Sequence, residues 1–231
     1  MPFLLSNTPI NDEKLLNKAL THPSFTKEID AKSLENYERL EFLGDAVLKL
    51  ITSKLLYNKY PDYNEGKLSK IRSILVSDSI LANVAKSINL PEYMIMSKAE
   101  EKTGGREKES NIACTMEAIL GAYYLDNKID TVEKFIKNSI IPKSDEIIEH
   151  FEKYNAKAVL QEYTQKISND LPIYKTIKTT GPQHDLNFEV EVSYNNKVLA
   201  TGCGKTKKEA QQNSAYKACI ALNIIEGLEN E

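Results

Sequence analysis

The chain has 231 residues, enough for one large domain or two smaller ones, and its 41% apolar and 27% charged residues describe a chain with a packed core rather than a disordered one. No run approaches the roughly 20 consecutive apolar residues of a membrane span, Met1-Pro-Phe-Leu-Leu carries no basic region ahead of a long apolar segment, and Cys114, Cys203 and Cys219 form no C-x-x-C pair; a cytoplasmic chain with no membrane partner, disulfide framework or structural zinc is expected. A net charge of −3 taken alone disfavours nucleic acid, but residues 155–225 carry +3, with nine lysines against six acids, while residues 1–154 carry −3.

Residues 1–150 read almost entirely as helix. A short helix opens at Asn11-Asp-Glu-Lys-Leu-Leu, and Ser33 to about Tyr60 carries Leu40, Leu43, Val47, Leu48 and Ile51 at helical spacing before Pro61, which predicts one long central helix. Further helices are predicted at about 65–75, 78–87, 112–125 and 131–140, with polar, glycine-bearing 98–109 as a loop. After residue 170 the period changes to two. Leu186-Asn-Phe-Glu-Val-Glu-Val alternates, Asn195-Asn196 supplies a turn, and Val198-Leu-Ala-Thr-Gly reads as a second strand, with Ile173–Lys178 as a third. With helices at 157–166 and 207–221, the C-terminal order is α-β-β-β-α. The boundary is placed in 146–154, read as a linker between domains at 1–145 and 155–225, although Ile147, Ile148 and Phe151 could equally extend the last helix.

The most informative segment is Glu38-Arg-Leu-Glu-Phe-Leu-Gly-Asp-Ala-Val. On a helix Glu38, Glu41 and Asp45 fall at i, i+3 and i+7 and share one side, beside apolar Leu40, Phe42, Leu43 and Val47. Like charges crowded against apolar surface call for a compensating cation, and oxygen donors suit a hard divalent ion such as Mg²⁺. A second helix offers Glu117 among small and apolar residues. A solvated acidic stripe with an incidental Glu117 is the competing reading of these residues.

Asn36-Tyr-Glu-Arg-Leu-Glu-Phe-Leu-Gly-Asp-Ala-Val-Leu resembles the signature of the ribonuclease III family. Ala19-Leu-Thr-His-Pro-Ser-Phe, Glu65-Gly-Lys-Leu-Ser-Lys-Ile-Arg-Ser, Thr103-Gly-Gly-Arg and Glu117-Ala-Ile-Leu-Gly-Ala-Tyr-Tyr-Leu-Asp follow in the family's order. The resemblance implies an all-α endonuclease domain that forms a homodimer and cuts both strands of double-stranded RNA, leaving 5′-phosphate and 3′-hydroxyl ends in precursors of ribosomal and some messenger and transfer RNA. It implies Mg²⁺, with Mn²⁺ as a substitute, held by Glu41, Asp45 and Glu117, of which Asp45 and Glu117 are catalytic. Glu38 and Glu65 would lie near the substrate backbone, and Phe42 in the dimer contact.

Cys114 departs from the family pattern, which has Asp three residues before the catalytic Glu. A thiol is a soft ligand, poorly matched to Mg²⁺. Three explanations stay open: the remaining carboxylates hold Mg²⁺ more weakly, the site is impaired and the protein acts mainly by binding RNA, or a thiophilic metal is used.

In the C-terminal segment, Thr206 can cap a helix whose first turn carries Lys207 and Lys208, a good arrangement for backbone phosphates. Gly202-Cys-Gly is read as a close turn into that helix. The order Leu160-Gln-Glu-Tyr, Leu171-Pro-Ile-Tyr, Gly181-Pro-Gln-His, Gly202-Cys-Gly and Lys207-Lys208-Glu-Ala resembles the double-stranded RNA-binding domain. That resemblance implies Gln161, Glu162 and Gln165 in one minor groove, His184 in the next, and Lys207 and Lys208 on the phosphates between them, reading A-form shape rather than sequence.

Overall fold

The computed structural model describes residues 5–30, 35–168, 170–181 and 186–225. They form two compact units that divide between Glu146 and Ile147.

The first unit is all helical: α1 (Glu13–Leu20), α2 (Pro23–Glu28), α3 (Glu38–Lys59), α4 (Glu65–Leu75), α5 (Asp78–Ser87), α6 (Lys98–Lys102), α7 (Glu109–Leu125) and α8 (Ile129–Ser139), followed by α9 (Lys143–Glu149), which crosses the division. Its core is built around α7, where Ile112, Met116, Ile119, Leu120 and Tyr123 are fully buried. Each such side chain contributes roughly 1.5–3 kcal/mol of apolar burial, and a helix apolar on nearly every side is stable only inside a shell of others. Thus α7 is the central helix, and the longer α3 packs along it with Leu40, Val47, Leu48, Ile51 and Leu56 turned inward.

Several boundaries differ from the sequence reading. The long helix starts at Glu38, where the Asn36 side chain accepts the Glu38 backbone N–H at 3.0 Å; the start expected at Ser33 lies outside the described residues. Within 98–109, expected as a loop, α6 forms because the Ser97 hydroxyl accepts the Glu100 N–H at 3.1 Å. The 146–154 segment, read as a linker, is helical in α9 and in α10 (Phe151–Tyr154), and Ile147 is buried. Two anchors hold the start of α9: Lys59 Nζ and Tyr60 Oη each lie 2.8 Å from an oxygen of Asp145.

The second unit follows the expected order: α11 (Ala156–Ile167), β1 (Ile173–Thr180), β2 (Asn187–Tyr194), β3 (Lys197–Gly204) and α12 (Lys207–Ala221). The sheet is antiparallel in the order β1-β2-β3. Asn195 and Asn196, at φ 49° and 59°, make the tight β2–β3 turn, a left-handed conformation that Asn tolerates. Ala156 and Leu160 of α11, Val192 of β2 and Ala215, Ala218 and Cys219 of α12 form its core. Gly202 and Gly204 lie in β3 rather than in a turn. Their role is close approach: a Cβ on Gly204 would come 2.6 Å from the Ala210 backbone nitrogen of α12.

Candidate functional site

The acidic site stands where α3 crosses α7. A Cβ on Gly44 would overlap the Glu117 carbonyl oxygen and lie 2.9 Å from Gly121 N, and one on Gly121 would overlap the Leu40 carbonyl. The two glycines let the helix backbones touch. Glu41 and Asp45 flank Gly44 on α3, so the crossing brings their charges to bear on Glu117 of α7.

Glu117 is half-buried, and its carboxyl is pushed up to about 8, first by desolvation and then by the charges of Asp45, Glu41 and Asp78, against the opposing charge of Lys49. One turn earlier on α7, Cys114 lies beside Glu41; burial first, then that neighbour and the surrounding acids push the thiol far up, so it stays neutral. Asp45 pairs with Lys49 at 2.7 Å. Glu38 is exposed and accepts from Asn36 Nδ2 at 3.0 Å. Glu65, in the first turn of α4, accepts from Ser69 on its own helix at 2.8 Å. The spacing of Glu38, Glu41 and Asp45 therefore survives in the fold, and Glu117 feels the charges of the latter two, whereas the recorded bond of Glu65 is local.

Sequence reasoning missed Asp78, Lys49 and Tyr37. Lys49 was legible as the i+4 partner of Asp45. Asp78 carries no local signal, since only the packing of α5 against α7 brings it near Glu117 and Cys114. Tyr37 is buried, and its hydroxyl is pushed up by desolvation and then by Cys114 and Glu41.

The donor chemistry of Glu41, Asp45 and Glu117 suits a hard divalent cation, and the Glu117 carboxyl is raised by burial first and then by the acids around it. Cys114 does not suit such an ion. Among the described residues, no three His, Cys, Asp or Glu side chains converge as a metal-binding group.

Beside the acids, α3 exposes Phe42, Leu50 and Tyr57 at 81%, 67% and 72%. With Ala46 they form an apolar stripe at helical spacing, adjoining the acidic side.

In the second unit, Thr206 Oγ1 accepts the Glu209 N–H at 3.1 Å and Glu209 Oε2 accepts the Lys205 N–H at 2.7 Å, which fixes the start of α12. Lys207 and Lys208 are exposed in its first turn, and Gln161, Glu162 and Gln165 are exposed on α11. His184 lies outside the described residues. Lys157, which the motifs did not single out, donates to Gln211 Oε1 at 2.7 Å and lies over the Tyr174 ring; burial and then the charge of Lys208 push its ammonium down.

The fold and site define a helical domain with an acidic crossing, joined to a double-stranded RNA-binding fold. Comparison with known proteins agrees with both halves: residues 12–144 match the family described as Ribonuclease-III-like and residues 156–222 the double-stranded RNA binding motif. Ribonuclease 3 of Bacillus licheniformis is 41% identical over 212 residues, covering 91% of this chain and 84% of the relative. Ribonuclease 3 of Lactococcus lactis subsp. lactis is 42% identical over 217 residues, 93% of each chain. Among solved structures, the nuclease domain of ribonuclease III from Campylobacter jejuni, described as flexible in a region involved in dimer formation, superposes with a TM-score of 0.53 at 41% identity, covering 58% of this chain and 89% of that one. The chain belongs to the bacterial-type ribonuclease III family, with a nuclease domain followed by a double-stranded RNA-binding domain. No helix among the described residues is long and apolar enough to cross a membrane.

Proposed function

We propose that the protein binds double-stranded RNA and carries a ribonuclease III site whose hydrolysis is impaired by Cys114. The observation behind this reading is the place of the Cys114 thiol, half-buried beside Glu41 and held neutral by burial and the acids around it. Where the family pattern has a carboxylate, a neutral thiol adds no hard donor to the three carboxylates that remain.

In this reading Glu41, Asp45 and Glu117 hold Mg²⁺ or Mn²⁺ weakly, and Asp45 and Glu117 stand at the reacting phosphate. A bound divalent ion supplies an activated water and neutralises charge on the phosphate oxygens. The carboxylates orient that centre, while Glu38 and Glu65 border the path of the RNA backbone. Gln161, Glu162, Gln165 and His184 meet the minor grooves, and Lys207 and Lys208 meet the phosphates between. The products carry 5′-phosphate and 3′-hydroxyl ends, and the substrates are helical segments of ribosomal, messenger and transfer RNA precursors in the cytoplasm. A second copy covers the Phe42–Leu50–Tyr57 stripe, making a homodimer with one acidic site per subunit; the exposed apolar surface supports this.

Full ribonuclease III activity is the second reading, supported by the charges of Asp45 and Glu41 that reach the half-buried Glu117. A long RNA duplex separates the two. We expect tight binding in chelator, slow cleavage in Mg²⁺ that is lost in Glu117→Gln, and cleavage about tenfold to a hundredfold faster in Cys114→Asp at unchanged affinity. Fast cleavage that Cys114→Asp does not improve favours the second reading, and cleavage undiminished in Glu117→Gln removes the site assignment.

A further inference from the structure

The acidic crossing already contains a cation belonging to the chain. Lys49, one turn beyond Asp45 on α3, places Nζ 2.7 Å from Asp45 Oδ2. Its charge also reaches Glu117, where it alone among the main influences favours the ionised carboxylate. Further along α3, Lys54 is turned to Glu133 of α8 at 2.8 Å and Lys59 to Asp145 at 2.8 Å, which leaves this position to Lys49.

We propose that the Lys49 ammonium competes with a divalent cation for Asp45 and so sets the metal concentration at which the site loads; this rests on reading Glu41, Asp45 and Glu117 as the metal-holding carboxylates. Two steps carry the argument. A metal ion that takes Asp45 Oδ2 must displace the charge-assisted bond to Lys49, and one that takes Oδ1 must sit beside the Lys49 ammonium. The displaced ammonium is then still tethered to the same helix turn, where it repels a doubly charged ion. Mg²⁺ is usually held by only one or two protein carboxylates, so a competitor on one of three is felt, the more so because Cys114 adds no hard donor. Lys49 is thus a positioning residue that selects against metal at low concentration.

The test is titration of the full-length, RNA-free protein with Mn²⁺, with the free ion counted by electron paramagnetic resonance. Lys49→Gln is expected to bind Mn²⁺ about threefold to tenfold more tightly than the unaltered chain, and Lys49→Arg, which keeps the charge, to show no such gain. The gap between Lys49→Gln and the unaltered protein should narrow as ionic strength rises. Mn²⁺ binding that Glu117→Gln weakens but Lys49→Gln leaves unchanged would overturn the role of Lys49 alone. Binding indifferent to Glu117→Gln would overturn the reading of the carboxylates and the proposal with it.

Discussion

Gly44 of α3 and Glu117 of α7 meet so closely that one methyl group added at Gly44 would overlap the Glu117 carbonyl oxygen. The contact that places the buried acid beside Glu41 and Asp45 is therefore made by backbone, and no side chain can relax to spare it. Gly44→Ala is expected to destabilise the helical domain by about 3 kcal/mol or more, at or above the upper end of ordinary overpacking, because two helices must separate rather than one rotamer shift. A large fall in the urea midpoint of the full chain checks this; an unchanged midpoint would contradict the crossing. Gly66→Ala, where an added Cβ meets only the Asn64 side chain at 3.7 Å, serves as the tolerant control.

Glu117 makes stability depend on pH. Its carboxyl is raised from 4.5 to about 8, by burial first and then by Asp45, Glu41 and Asp78. A group whose pKa is higher in the folded state stabilises the fold in its protonated form; that contribution is complete below about pH 4.5 and is lost as pH rises through about 8. In chelator, the thermal midpoint is expected to fall between about pH 5 and pH 8.5. Glu117→Gln should flatten this slope and gain on the order of 2 kcal/mol at the alkaline end. An identical slope in both proteins would show that Glu117 is not the titrating group.

The RNA interface is expected to be electrostatic in its salt response. Lys207→Ala and Lys208→Ala should each weaken duplex binding alike for unrelated sequences and reduce the slope of log affinity against log salt by about 1. Lys157 extends this set: its ammonium is depressed by burial and then by the charge of Lys208, and a phosphate placed between the two lysines is expected to relieve that repulsion. Filter binding across a salt series measures all three, and an unchanged slope would remove the residue concerned from the phosphate contacts.

Phe42→Asp tests the apolar stripe. An aspartate at a position 81% exposed costs the isolated subunit little, but it places an unpaired charge in a buried contact if two copies meet there. Sedimentation should change from dimer to monomer with the thermal midpoint of the helices nearly kept. A Phe42→Asp protein that still sediments as a dimer would move the interface elsewhere.

Much of this protein was legible in local spacing. The i, i+3, i+7 acids of α3, the alternating strand ending at the Asn195-Asn196 turn and the Thr206 cap all depend on residues a few positions apart, where backbone geometry dictates who is neighbour to whom. The Asp45–Lys49 pair was written in the same code, one helical turn long. What spacing could not supply was the meeting of distant segments. Glu117 feels Asp45, Glu41 and Asp78 only because Gly44 and Gly121 admit a close helix crossing and α5 packs on α7, and the Cys114 thiol finds Glu41 for the same reason. Composition and motif order thus determined the family, the domain order and the candidate acids. Tertiary packing decided which acids act on one another, because desolvation and Coulomb interaction depend on distance through space and not along the chain.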